Sequence, residues 1–214
     1  MRAADAVTYF RVALVIVVVY LVIARINPIL IALLIAFAMI LDAADGYAAV
    51  WEGSRGKISL VQYVKASAGD SRYAKAVKEI KLKLAKTAKY GPRIDVAGDR
   101  VVEYALWIAY TYVMVIPLYV LLVIVIRHSF VDALMASKGT SSKMKTRFAR
   151  AVYSSSIGRG GINVVKFAAF SYLAFVYVWG YPAVIGYVLV AALVAYILLR
   201  GAAEVYEAMT QEKG

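Results

Sequence analysis

Apolar residues in this chain are gathered into long blocks separated by short turns or by strongly basic stretches. The first block, Val7 to Ala24, is interrupted only by Arg11 near its start. At 1.5 Å per residue it covers roughly 27 Å, about one bilayer hydrocarbon core. Arg25-Ile26-Asn27-Pro28 reads as a turn, and a second block follows from Ile29 to about Trp51. A third begins near Pro92, where proline suits a first helical turn, and runs to about Tyr112. Ile116-Pro117 marks the next turn, after which a fourth block reaches Ile126 and continues amphipathically through Ala136. Gly161 to Val178 and Pro182 to Leu199 complete the set, with Trp179-Gly180-Tyr181 between them. The pattern predicts an all-α polytopic membrane protein with six transmembrane helices and both termini on one side.

Residues 52–90 break the pattern. Tyr73, Val77, Ile80, Leu84 and Ala88 recur at helical spacing, while Lys75, Lys78, Lys81, Lys83, Lys86 and Lys89 fill much of the remainder. This predicts a basic amphipathic helix, read as an insertion within a single transmembrane domain spanning 1–214. Its partner is expected to be the anionic lipid surface, in preference to the protein's own loops, because each lysine near anionic head groups gains on the order of 1 kcal/mol.

Composition supports the membrane reading. The chain is 63% apolar, above the roughly 45 to 50% typical of soluble domains. A formal charge of +12 would suit nucleic acid in a soluble protein. Here the lysines and arginines concentrate in residues 52–93, 127–160 and the tail, which the positive-inside rule places in the cytosol, so no nucleic-acid partner is expected. There is no cysteine, which excludes thiolate chemistry and thiolate zinc sites. The apolar run after Met1 to Ala6 is as long as a membrane span, so it is expected to stay rather than be cleaved as a signal peptide.

The candidate chemistry lies where the second and third blocks end or begin. Asp42 and Asp45 share a helical face (i, i+3), as do Asp95 and Asp99 (i, i+4). Two pairs facing each other at membrane depth would repel and lose hydration, so a positive group should hold them, and a divalent metal is the economical choice. Gly46 and Ala49 are small enough for a ligand or another helix to approach the backbone closely. Thr8 and Arg11 also share a face (i, i+3), and Arg11 is read with equal weight as a phosphate contact or as snorkelling to the interface. His128, the only histidine, is read as an interface residue rather than a catalyst. An acidic ion site in a transporter or channel is the alternative from another class. It would put carboxylates near mid-bilayer and bring an internal repeat, and neither is evident.

Asp42, Asp45, Gly46 and Ala49, followed by Gly91, Asp95 and Asp99, resemble the signature D-x-x-D-G-x-x-A-R then G-x-x-x-D-x-x-x-D of the CDP-alcohol phosphotransferase family of integral membrane enzymes. Val50 stands at the position of the signature's arginine, and residues 50–90 separate the two blocks by much more than is usual in the family. The resemblance implies transfer of a phosphatidyl-type group from a CDP-linked lipid, such as CDP-diacylglycerol or CDP-archaeol, to a small polar alcohol, with release of CMP. It implies Mg²⁺ or Mn²⁺ on Asp42, Asp45 and Asp95 with Asp99, and Asp99 as general base. It further implies donor contacts at Gly46, Ala49, Gly91, Thr8 and Arg11, a homodimer, and a prokaryotic cytoplasmic membrane with the site facing the cytosol. Lys138 to Arg147 resembles a G-K-x-K-T stretch of phosphatidylglycerophosphate-forming members, and Gly158-Arg159-Gly160 a Gly-Arg segment of inositol-phosphate users. On that basis Lys143, Lys145, Arg147 and Arg159 are expected to bind a phosphorylated acceptor.

Overall fold

In the computed structural model the apolar blocks become helices whose ends are set by local polar contacts. The structure describes residues 3–67, 70–87, 91–136, 146, 152 and 156–211. Among these are eight helices and no strand: α1 (Ala3–Ile23), α2 (Pro28–Gly53), α3 (Leu60–Ser67), α4 (Ser71–Thr87), α5 (Gly91–Tyr112), α6 (Leu118–Ala136), α7 (Ser156–Trp179) and α8 (Ala183–Gln211).

Asn27 caps α2 by accepting the Ile29 N–H at 2.9 Å, and Pro28 occupies the first helical position, where a missing N–H costs nothing. At the other end Gly56, at φ 77°, turns the chain back so that its N–H meets the Trp51 carbonyl at 2.8 Å. Ser59 and Gln62 form a reciprocal capping box for α3. Asp70 caps α4 through the Arg72 N–H at 3.0 Å. The basic stretch therefore holds two helices, and α3 was not expected from the sequence.

Four helical stretches among the described residues are long and apolar enough to cross a membrane: Ala4–Ile23, Pro28–Gly53, Gly161–Trp179 and Ala183–Thr210. The expected six would also need α5, which carries Asp95, Asp99, Arg100 and Glu103, and α6, whose apolar run breaks at Arg127-His128. Many outward side chains of the four are large and apolar, among them Ile16, Leu33, Ile40 and Val184, as suits helices solvated by lipid.

The chain divides into two units, Met1–Leu21 with Leu33–Leu106, and Val22–Ala32 with Trp107–Gly214. The first has Val15, Val18, Ile35 and Val50 in its interior. The second is centred on Trp107, Tyr110 and Phe170. Trp107 meets Phe170 edge-on at 5.0 Å, Tyr110 stacks on Phe170 at 6.1 Å, and the Tyr110 hydroxyl donates to the Phe170 carbonyl at 2.5 Å. Buried phenols keep such partners because an unpaired hydroxyl in an apolar core is costly. His128, expected at an interface, is instead buried in this unit. So is an ion pair between Arg127 on α6 and Glu204 on α8, at 2.7 Å.

Candidate active site

The first unit contains the candidate site. α2 brings Asp42 and Asp45 onto one face of its last turns and α5 brings Asp95 and Asp99 onto one face of its first turns. The two pairs meet: Asp42 and Asp99 are bonded by one guanidinium, and Asp45 and Asp95 are close enough to act on each other's charge. What holds them is Arg11. Its guanidinium bonds Asp42 through Nη1 and Asp99 through Nη2, and Nη1 also lies 3.8 Å from Asp45. Arg11 is only 2% exposed, so it neither snorkels nor faces solvent. The positive group that the sequence demanded is a side chain of α1.

Thr8, one turn earlier on the same face of α1, donates its hydroxyl toward the Ala4 carbonyl at 3.2 Å and Asp45 at 3.5 Å. A Cβ on Gly98 would lie 2.3 Å from the Thr8 methyl carbon. Glycine is therefore what lets α5 approach α1 closely enough for Arg11 to reach Asp99. The carboxylates differ in access. The side chain of Asp45 is 9% exposed, that of Asp42 36% and that of Asp99 48%.

Whether these residues suit a divalent ion turns on both chemistry and arrangement. Four carboxylates are the hard oxygen donors that Mg²⁺ and Mn²⁺ prefer. Their disposition around Arg11 is not a ligand shell, however, and among the described residues no three acidic or histidine side chains are grouped as one. Arg11 and a metal ion would compete for the same oxygens.

Gly46 faces a neighbour that the sequence did not identify. The Tyr63 hydroxyl of α3 lies where a Cβ on Gly46 would come within 2.8 Å, and the Tyr63 ring packs on Tyr47 at 5.6 Å. The close approach expected at this glycine is therefore made by another helix. Ala49 is partly buried beside it, and Val50 is fully buried. Gly91 begins α5. Lys143, Lys145 and Arg147 lie outside the described residues. Arg159 sits in the first turns of α7, in the second unit, with its side chain outside the described set. Thr146, within the basic loop, is held by Glu207 of α8, which accepts from its N–H at 2.9 Å and from its hydroxyl.

The polar site is thus two carboxylate pairs closed on an arginine, with small residues beside them, in a helical protein with four helices, among the described residues, long and apolar enough to cross a membrane. A family model described as CDP-alcohol phosphatidyltransferase matches residues 1–57, which supports assigning the chain to that family. That family is one of transferases of phosphate-linked groups, generally dependent on divalent metals. The match takes in Thr8, Arg11, Asp42, Asp45, Gly46 and Ala49 and stops short of Gly91, Asp95 and Asp99. No curated protein and no solved structure matches the chain.

Proposed function

We propose that this protein transfers a phosphatidyl-type group from a CDP-linked lipid, such as CDP-diacylglycerol or CDP-archaeol, to a polar alcohol, releasing CMP. The observation that carries the reading is the convergence of Asp42, Asp45, Asp95 and Asp99 in one site. Mg²⁺ or Mn²⁺ on Asp42, Asp45 and Asp95, with Asp99, would neutralise charge on the departing phosphate. Asp99 takes the proton from the acceptor hydroxyl, whose oxygen bonds to the lipid-side phosphorus as the bond to CMP breaks. Its greater exposure suits that role. Asp45, almost enclosed and engaged by Thr8 and Arg11, suits a positioning role on the donor side.

The acceptor is a phosphorylated polyol, with inositol phosphate favoured over glycerol phosphate and serine least favoured. Lys143, Lys145, Arg147 and Arg159 supply the positive charge that a dianionic acceptor requires. α5 and α6 complete six spans, the basic segments face the cytosol of a prokaryotic cell, anionic lipids border them, and the enzyme works as a homodimer. The test is CMP release from a CDP-lipid by the purified protein in detergent, with and without Mg²⁺ or Mn²⁺, across a panel of alcohols. Release with inositol phosphate is the expected result. Release with serine and with no phosphorylated polyol would refute the acceptor assignment, and no release with any alcohol would refute the reaction.

A further inference from the structure

The apolar stripe of α4 is directed at the enzyme itself: Val77 is buried, and Ile80 and Leu84 lie where a Cβ on Gly53 would meet them at 2.9 to 3.0 Å. This packing fixes the roll of α4 against the end of α2. Lys81 follows Val77 by one turn and precedes Leu84 by three residues, so it emerges on the stripe's side, whereas Lys75 and Lys83 emerge away from it. The Lys81 ammonium sits 5.3 Å from the centre of the Tyr63 ring, a cation held against an aromatic face. Tyr63 is itself wedged between Tyr47 and the backbone at Gly46. Lys81 is also close enough to Asp95 to act on its charge. A lysine from the insertion thus stands beside the carboxylate site, on the tyrosine that packs against Gly46. Position 50, where the family signature has arginine, is a fully buried valine that offers no cation.

We propose that the insertion forms a phosphate-binding flank of the active site, in which Lys81, steadied on Tyr63, carries the positive charge toward the donor's pyrophosphate that Val50 does not supply. The proposal rests on the donor being a CDP-linked molecule. An ammonium on a flexible stem suits a pyrophosphate whose position shifts as the bond to the lipid-side phosphorus breaks. Its exposure leaves it free to turn from the Tyr63 ring toward an anion.

Titration calorimetry of the full-length protein in neutral detergent, with Mg²⁺ present, tests this using CDP and cytidine as probes. Lys81→Ala should weaken CDP binding about tenfold, the loss of one charged contact. It should leave cytidine binding unchanged, because cytidine carries no phosphate. Lys81→Arg should restore most of the CDP affinity, and Lys75→Ala should bind both probes as the unaltered protein does. Neutral detergent removes anionic lipid as a source of any effect. If Lys81→Ala binds CDP as tightly as the unaltered protein, or loses CDP and cytidine in equal measure, the flank is refuted. If the unaltered protein binds neither probe, the CDP-lipid reading itself is refuted, and the role of Lys81 with it.

Discussion

At the scale of single residues, Arg11 changes what the four aspartates mean. A carboxylate cluster in a membrane helix invites a metal ion, yet α1 already supplies a cation that bonds Asp42 and Asp99. Arg11→Met should therefore destabilise the protein by about 2 to 3 kcal/mol, less than for a fully buried pair because Asp42 and Asp99 are partly solvated. Millimolar Mn²⁺ should recover most of the loss, and should raise the melting temperature of the unaltered protein by less, because there it competes with Arg11 for the same oxygens. Thermal unfolding in detergent with and without Mn²⁺ measures both effects, and an Arg11→Met melting temperature insensitive to Mn²⁺ would dissociate the cluster from metal binding. The two ends of the cluster should also separate kinetically. Asp42→Asn should raise the KM for the CDP-lipid, whereas Asp99→Asn should lower kcat by at least about a hundredfold with little change in KM, since an amide keeps the shape but cannot accept a proton. Steady-state CMP release distinguishes them. The carboxylates were legible in the sequence because their i, i+3 and i, i+4 spacing fixes a face. The partner of Arg11 was not, because helical periodicity orients a residue about its own axis and says nothing of the helix across from it.

At the scale of elements, α4 shows how a local cap steadies a surface helix. Arg72 gives Asp70 a side-chain hydrogen bond and then a backbone one, and together these hold its carboxyl below the usual carboxylate range. A carboxyl depressed in the folded state stabilises it at pH values above its unfolded pKa, and that contribution fades as acid protonates it. Acidification below about pH 4 should thus lower the protection of the amides at residues 72–74 relative to their intrinsic exchange rates, and Asp70→Asn, which still caps, should remove that pH dependence of protection. Protection at those amides that is constant with pH in the unaltered protein would contradict this. In the second unit the pair Arg127 and Glu204 joins α6 to α8, and a Cβ on Gly201 would come within 2.6 Å of the Arg127 Nε. Glu204→Gln should cost about 3 kcal/mol by leaving a buried guanidinium without its counter-charge, and Arg127→Met with Glu204→Leu should cost less than either single change. Thermal melts of the three variants decide it. The stripe of α4 was read correctly as amphipathic. Its packing on the end of α2 was not legible, because a surface of Gly53 and neighbouring α2 residues and a lipid surface ask for the same apolar face.

At the scale of the whole molecule, hydrophobic blocks fixed the all-helical class, and turn chemistry at Asn27-Pro28 and Gly180 marked element ends well. The span count is where the pattern ran out. α5 carries Asp95 and Asp99 among its apolar residues, so its hydropathy falls as its chemistry rises, and it is not among the four candidate spans. The absence of native cysteine allows a direct test with single introduced thiols. Asn27→Cys, Met114→Cys and Tyr181→Cys should react with an impermeant maleimide from the outside of intact cells, and Lys57→Cys and Lys75→Cys only after lysis. Labelling of Met114→Cys from the same side as Lys57→Cys would remove α5 as a span.

The missing methyl at Gly98 has one more implication. Helices packed side by side can slide along each other, and smooth apolar faces resist this weakly. Here the Thr8 methyl occupies a notch that only residue 98 provides. A shift of α5 by one residue in either direction would present the Cβ of Ala97 or Asp99 instead. The glycine therefore acts as a detent that sets the height of Asp99 against Arg11, and it ties two distant positions into one unit of sequence change. Ala at 98 should be tolerated only when residue 8 gives up its methyl group, as in Thr8→Ser.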